Sequence, residues 1–107
     1  MADALIVYTT WPDVETADRA ARAAVEQRLA ACANRFAALQ SVYRWEGAVE
    51  TASEIPMIFK TTRDRAEALR RLIEEHHPYD LPCIVALSAD AAGSSRGFLD
   101  WIAAETG

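Results

Sequence analysis

A chain of 107 residues that is 51% hydrophobic and 25% charged reads as one domain, residues 1–107, and so much Val, Ile, Leu and Ala excludes disorder. Its longest apolar runs, such as residues 4–8, fall far short of the ~20 residues a spanning helix needs, so no membrane helix is expected. Eleven Lys and Arg against sixteen Asp and Glu give a formal charge of −5, which repels phosphate backbones and argues against nucleic acid as a partner while suiting cations.

Residues 4–10 are apolar and β-branched and predict a strand buried on both faces. Trp11-Pro12-Asp13 ends it, with Asp13 an apt N-cap. A helix is expected from about 14 to about 31, its apolar stripe formed by Val14, Ala17, Ala21, Ala24, Val25 and Leu29. Residues 33–45 loosen toward alternation and read as one long strand. Glu46-Gly47 makes a hairpin turn into a return strand through residues 55–61, where Pro56 marks an edge or a bulge. Thr61 or Thr62 caps a second helix that carries Ala66, Leu69, Leu72 and Ile73 inward and stops at Pro78. Residues 81–87 form a fourth strand, and Phe98, Leu99, Trp101 and Ile102 a short final helix.

The order β-α-β-β-α-β-α is that of an α+β chain of the ferredoxin-like split βαβ type, an antiparallel sheet with two helices on one face plus a C-terminal helix. That fold hosts unrelated activities, so function has to come from particular residues.

Few residue types here carry chemistry. His76 and His77 end a helix, where His completes orphan carbonyls, but Pro78 turns His77 off the helix axis and leaves it open to ligand or proton-transfer work. Cys32 and Cys83 are either buried packing thiols or soft-metal ligands, since thiolate with imidazole suits copper or zinc. No CxxC pair indicates a structural zinc. Tyr43, Trp45, Lys60 and Tyr79 are polar-tipped residues near strand or turn ends, where the ordinary roles are packing or solvation. No nucleophile elbow, phosphate loop or HExxH is present. Asp3 interrupts any basic-then-apolar leader, which gives a cytoplasmic, reducing setting as the expectation and makes a disulfide unexpected.

Six segments, taken in order, resemble the CutA divalent-cation tolerance family: residues 7–13 (VYTTWPD), 29–34 (LAACAN), 41–47 (SVYRWEG), 60–62 (KTT), 77–82 (HPYDLP) and 98–101 (FLDW). The resemblance spans nearly the whole chain. It implies the ferredoxin-like fold, a homotrimer joined by long hairpin strands, and a non-enzymatic role in tolerance of copper and other divalent metal ions. It places Cys32 and His77 among metal-binding residues, and Tyr43, Trp45, Lys60 and Tyr79 near a cleft between subunits. This sequence departs from the family pattern at Cys83, where an acidic residue is usual, so that Cys83 joins Cys32 and His77 as a candidate ligand of a softer site. If Cys83 is not a ligand, it is a small filler facing the helices. A PII-like regulatory module binding a small molecule in the same cleft is the alternative reading.

Overall fold

In the computed structural model, which describes residues 3–107, the first strand divides two environments. β1 (Ala4–Trp11) sends Leu5, Val7, Thr9 and Trp11 to one face of the sheet and Ile6, Tyr8 and Thr10 to the other. The odd set meets two helices. α1 (Val14–Glu26) packs Ala17, Ala20 and Ala24, and α2 (Arg63–His76) packs Leu69, Leu72 and Ile73, against Val7, Trp11, Met57 and Phe59. Small alanines let α1 lie close on the strands. The Asp13 carboxylate accepts from the Thr16 amide at 2.8 Å and starts that helix.

The remaining strands are β2 (Cys32–Arg35), β3 (Leu39–Trp45), β4 (Ala48–Thr62) and β5 (Ile84–Ser88). Every pairing is antiparallel, in the order β2-β4-β1-β5, and β3 joins β4 beyond β2. α3 (Arg96–Glu105) crosses the opposite face at one end, where Ile102 packs on Ala4 and Ala31. This is the ferredoxin-like βαββαβ arrangement with one added helix. Glu46 (φ 49°) and Gly47 (φ 82°) both lie in the left-handed region, as a two-residue hairpin turn requires, and carry β3 into β4.

Three local expectations are corrected and one, at Pro56, is met. α1 stops at Glu26 rather than near residue 31, because Arg28 takes φ 60° and the next backbone groups are claimed by β4: Ala31 donates to the Lys60 carbonyl (2.8 Å) and Leu29 accepts from the Thr61 hydroxyl (2.6 Å). The single strand expected over residues 33–45 is two, β2 and β3, separated at residues 36–38. Pro56 sits at a bulge, one of the two expected places: residues 36–38 stand opposite only residues 55 and 56 of β4. β4 is flanked on both sides, and the Pro56 carbonyl, accepting from Phe36 at 2.9 Å, faces the interval where β2 ends and β3 has not begun. A residue's N and O point to the same flank of a strand, so the missing donor of Pro56 falls in that interval. The Thr62 side chain makes no cap bond, and the Thr61 hydroxyl is already spent on Leu29.

Candidate functional site

The face of the sheet away from α1 and α2 carries a cavity of about 610 Å³ between the β3–β4 arm and the segment 79–83. Antiparallel register explains who meets there. Ser41 pairs with Ala52 and Tyr43 with Glu50, and paired residues share a face. Tyr8 and Thr10 of β1 form the floor, while Tyr79, Asp80 and Cys83 close the far side. The Ser41 hydroxyl donates to Glu54 at 2.6 Å and fixes that carboxylate along the wall. Partial burial, and then the nearby Glu54 carboxylate and Tyr43, hold the Tyr79 hydroxyl above its ordinary pKa.

β5 begins at Ile84 rather than at residue 81, and this shapes the site. Its last partner on β1 is Thr9, so the next carbonyl, Thr10, is left for another donor. His77 supplies it, with Nε2 at 2.7 Å. A carbonyl only accepts, so Nε2 carries the hydrogen, and Nδ1 accepts the Tyr79 amide hydrogen at 3.2 Å. The ring is 7% exposed, stacked on Trp11 and tilted against Tyr79 with centroids 4.9 Å apart. Extended geometry at His77 (ψ 131°), forced by Pro78, turns the ring off α2 into this position.

The expected residues are therefore only partly assembled. Tyr43, Trp45, Tyr79 and Cys83 line the cavity. Cys83 is thus not a filler facing the helices; Ile84, its neighbour, has that role. Lys60 and Cys32 pair with each other across β4 and β2, in the sheet row of Ile6. Thr10 lies four residues further along β1, about 13 Å at ~3.3 Å per residue. In the Ile6 row the Lys60 ammonium sits over the Phe98 ring at 5.3 Å. Burial pushes the Cys32 thiol up, with Lys60 opposing that rise. Cys32, His77 and Cys83 do not converge, and among the described residues no three His, Cys, Asp or Glu side chains are close enough to hold a metal ion. One chain by itself does not fit a closed ligand set.

Sequence reasoning passed over Tyr8, Glu50, Glu54 and Asp80. The signal was available for three of them, because alternation along β1 and β4 assigns Tyr8, Glu50 and Glu54 to the open face. Nothing local marks Asp80, which arrives through the turn after His77.

Residues 5–105 match the family described as CutA1 divalent ion tolerance protein. A divalent-cation tolerance protein CutA from Pyrococcus horikoshii is 39% identical over 102 residues, covering 95% of this chain and 97% of that protein. Its counterpart from Thermus thermophilus is 41% identical over 102 residues, covering 95% and 97%. The solved structure of the divalent cation tolerance protein from Thermus thermophilus superposes with a TM-score of 0.91 at 40% identity, covering 97% of this chain and 99% of that one. With sequence likeness running from β1 into α3 and the same backbone path throughout, this chain belongs to the CutA1 divalent ion tolerance family.

Proposed function

We propose that this chain, as a single domain, is a non-enzymatic divalent-cation tolerance protein that binds copper or a similar divalent ion as a homotrimer in the cytoplasm. The observation that carries the assembly is the unpaired apolar surface of one chain. Val42 is 68% exposed and Trp45 44%, both on the arm, while Val85 and Leu87 lie bare on β5. The outer edges of β3 and β5 have no strand partner among the described residues. Exposed apolar strands with open edges are aggregation hazards unless another copy covers them.

Metal ligands come from Cys32, His77 and Cys83, completed by a second copy or by water because one chain does not bring them together. Cys83 has the best access, since it lines the cavity. His77 would have to surrender two hydrogen bonds, and Cys32 has a cation opposite it.

Native mass spectrometry of purified protein with copper or zinc tests both parts. A trimer that retains metal, and loses it in Cys83→Ser with the trimer intact, is the expected result. A persistent monomer overturns the assembly, and no retained metal at any stoichiometry overturns the metal reading.

A further inference from the structure

The ladder between β1 and β5 is one rung short. The Ala89 amide donates to the Ala4 carbonyl at 3.0 Å, and this fixes the phase of the pairing: the even residues of β1 are the hydrogen-bonded partners of β5. After Tyr8 with Val85, the next bonded pair is therefore Thr10 with Cys83, and the Cys83 amide belongs on the Thr10 carbonyl. The ladder ends before it, at Thr9 with Ile84, and that carbonyl holds Nε2 of His77 at 2.7 Å. A carbonyl oxygen can accept twice, yet the ladder stops where the ring arrives, so ring and amide are rival donors here.

Local preference favours the amide. Residues 81–87 read as strand, but β5 begins only at Ile84. What overrides that preference comes from outside the element: the ring that Pro78 turns off α2. A longer β5 would meet no obstacle at Pro82, which would stand opposite Trp11 in a non-bonded position, where β1 asks no donor of it. The extension is also bounded. The following bonded pair would be Pro12 with Leu81, and Pro12 has no hydrogen to donate.

We infer that β5 has two lengths and that the ring of His77 selects the short one. With the ring on Thr10, the chain from Pro78 to Cys83 stays a loop, its Tyr79 amide tied to Nδ1 at 3.2 Å. With the ring withdrawn, the Cys83 amide takes the Thr10 carbonyl, the loop shortens, and Tyr79 is drawn from its place in the cavity wall. The contested atoms lie on the flank of β5 that faces β1, inside one chain, so a second copy on the outer edge of β5 leaves the competition as it is. No metal takes part, and the inference is independent of the metal reading.

Residue-resolved amide hydrogen exchange, followed by NMR on the assembled protein in the presence of chelator, reads the choice directly. In the wild-type protein the Cys83 amide exchanges at the rate of a loop, while the Val85 and Leu87 amides on the same flank are protected. Two variants of one chemistry and different reach then separate the donors. His77→Gln is long enough to donate to Thr10 and keeps the wild-type pattern. His77→Asn is one methylene shorter; its oxygen still accepts from the Tyr79 amide, but its nitrogen falls short of Thr10. Exchange at Cys83 then slows roughly tenfold, as one added backbone bond of ordinary net strength does. Pro78→Ala, which lets α2 run on and carries the ring off Thr10, gives the same slowing by another route. Circular dichroism and light scattering verify folding and assembly. Slowing in either variant, with His77→Gln unchanged, upholds the inference. A Cys83 amide already protected in the wild-type protein, a measurement that needs no variant, overturns it. So does unchanged exchange in both His77→Asn and Pro78→Ala, or equal slowing in His77→Gln.

Discussion

The ring of His77 lies on the indole of Trp11, centroids 4.4 Å apart and planes 27° from parallel. The same ring holds the Thr10 carbonyl and the Tyr79 amide, so one side chain joins the end of β1 to the loop that forms one side of the cavity. Its contacts are those of a structural clasp. Two hydrogen bonds of about 1 kcal/mol each, and a stack of about 1 kcal/mol, predict that His77→Ala loses about 2–4 kcal/mol of stability. Urea unfolding measures it. A ligand role alone would instead lower metal affinity and leave the unfolding midpoint in place.

Thr9 carries a buried relay. The Trp11 indole N–H donates to the Thr9 hydroxyl at 2.7 Å, and that hydroxyl donates to the Met57 carbonyl at 2.7 Å. Thr9→Val keeps the shape but strands the indole N–H in a fully buried place. A cost of about 1–3 kcal/mol follows from leaving that donor unpaired. Thr9→Ser retains the hydroxyl and recovers most of the loss. Thermal or urea unfolding of the two variants side by side separates the hydroxyl from the methyl.

Acid should weaken the start of α1. Hydrogen bonds from the Thr16 amide and hydroxyl favour the charged Asp13 carboxylate and hold its pKa below the ordinary value. A folded-state pKa lower than the unfolded one stabilises the fold above the unfolded value, roughly 3.9. That stabilisation is lost as pH falls through the folded value. Asp13→Asn keeps a capping oxygen but removes the titration, so the melting temperature of the variant falls less steeply below about pH 4. Identical acid limbs in both proteins would contradict the assignment.

Thiol labelling distinguishes the two cysteines. The Cys32 thiol is held up by burial, so its thiolate fraction at neutral pH is small and its labelling accelerates at higher pH than for an unperturbed thiol. Lys60 works the other way across the strand pair. Lys60→Met therefore slows Cys32 labelling further, read in a Cys83→Ser background by rate against pH. Faster labelling after loss of the ammonium would reverse the sign argued here.

Element order and fold type were legible because strand and helix periodicities alternate clearly and Asp13, Gly47 and Pro78 punctuate them. The end of α1 was not, since Leu29 and Ala30 continue a helical stripe; the chain leaves the helix at Arg28 (φ 60°), and Thr61 and Lys60 then claim the backbone of Leu29 and Ala31. Splitting the second strand into β2 and β3 was hidden for a similar reason, as residues 36–38 hold no strong breaker. The candidate site was half legible. Aromatic residues near the hairpin are visible as such, but which cysteine joins them depends on where β5 begins. That start is fixed by His77 taking a carbonyl 67 positions earlier in the chain.

Pro56 has a further effect on how the molecule can change over time. β4 serves two partners along one flank, β2 at residues 57–60 and β3 at residues 48–54, and the proline stands between them with no hydrogen to donate. Sliding β2 or β3 along β4 would oppose a ladder position to that missing donor and lose a bond, so each keeps its own register. The three residues bridging them are consequently free of any ladder duty except at Phe36. Insertions or deletions after Phe36 can lengthen or shorten the bridge while both ladders stay as they are. Variation in chain length among descendants of this sequence should therefore concentrate at residues 37–38, with the arm's reach and tilt as the trait that diverges.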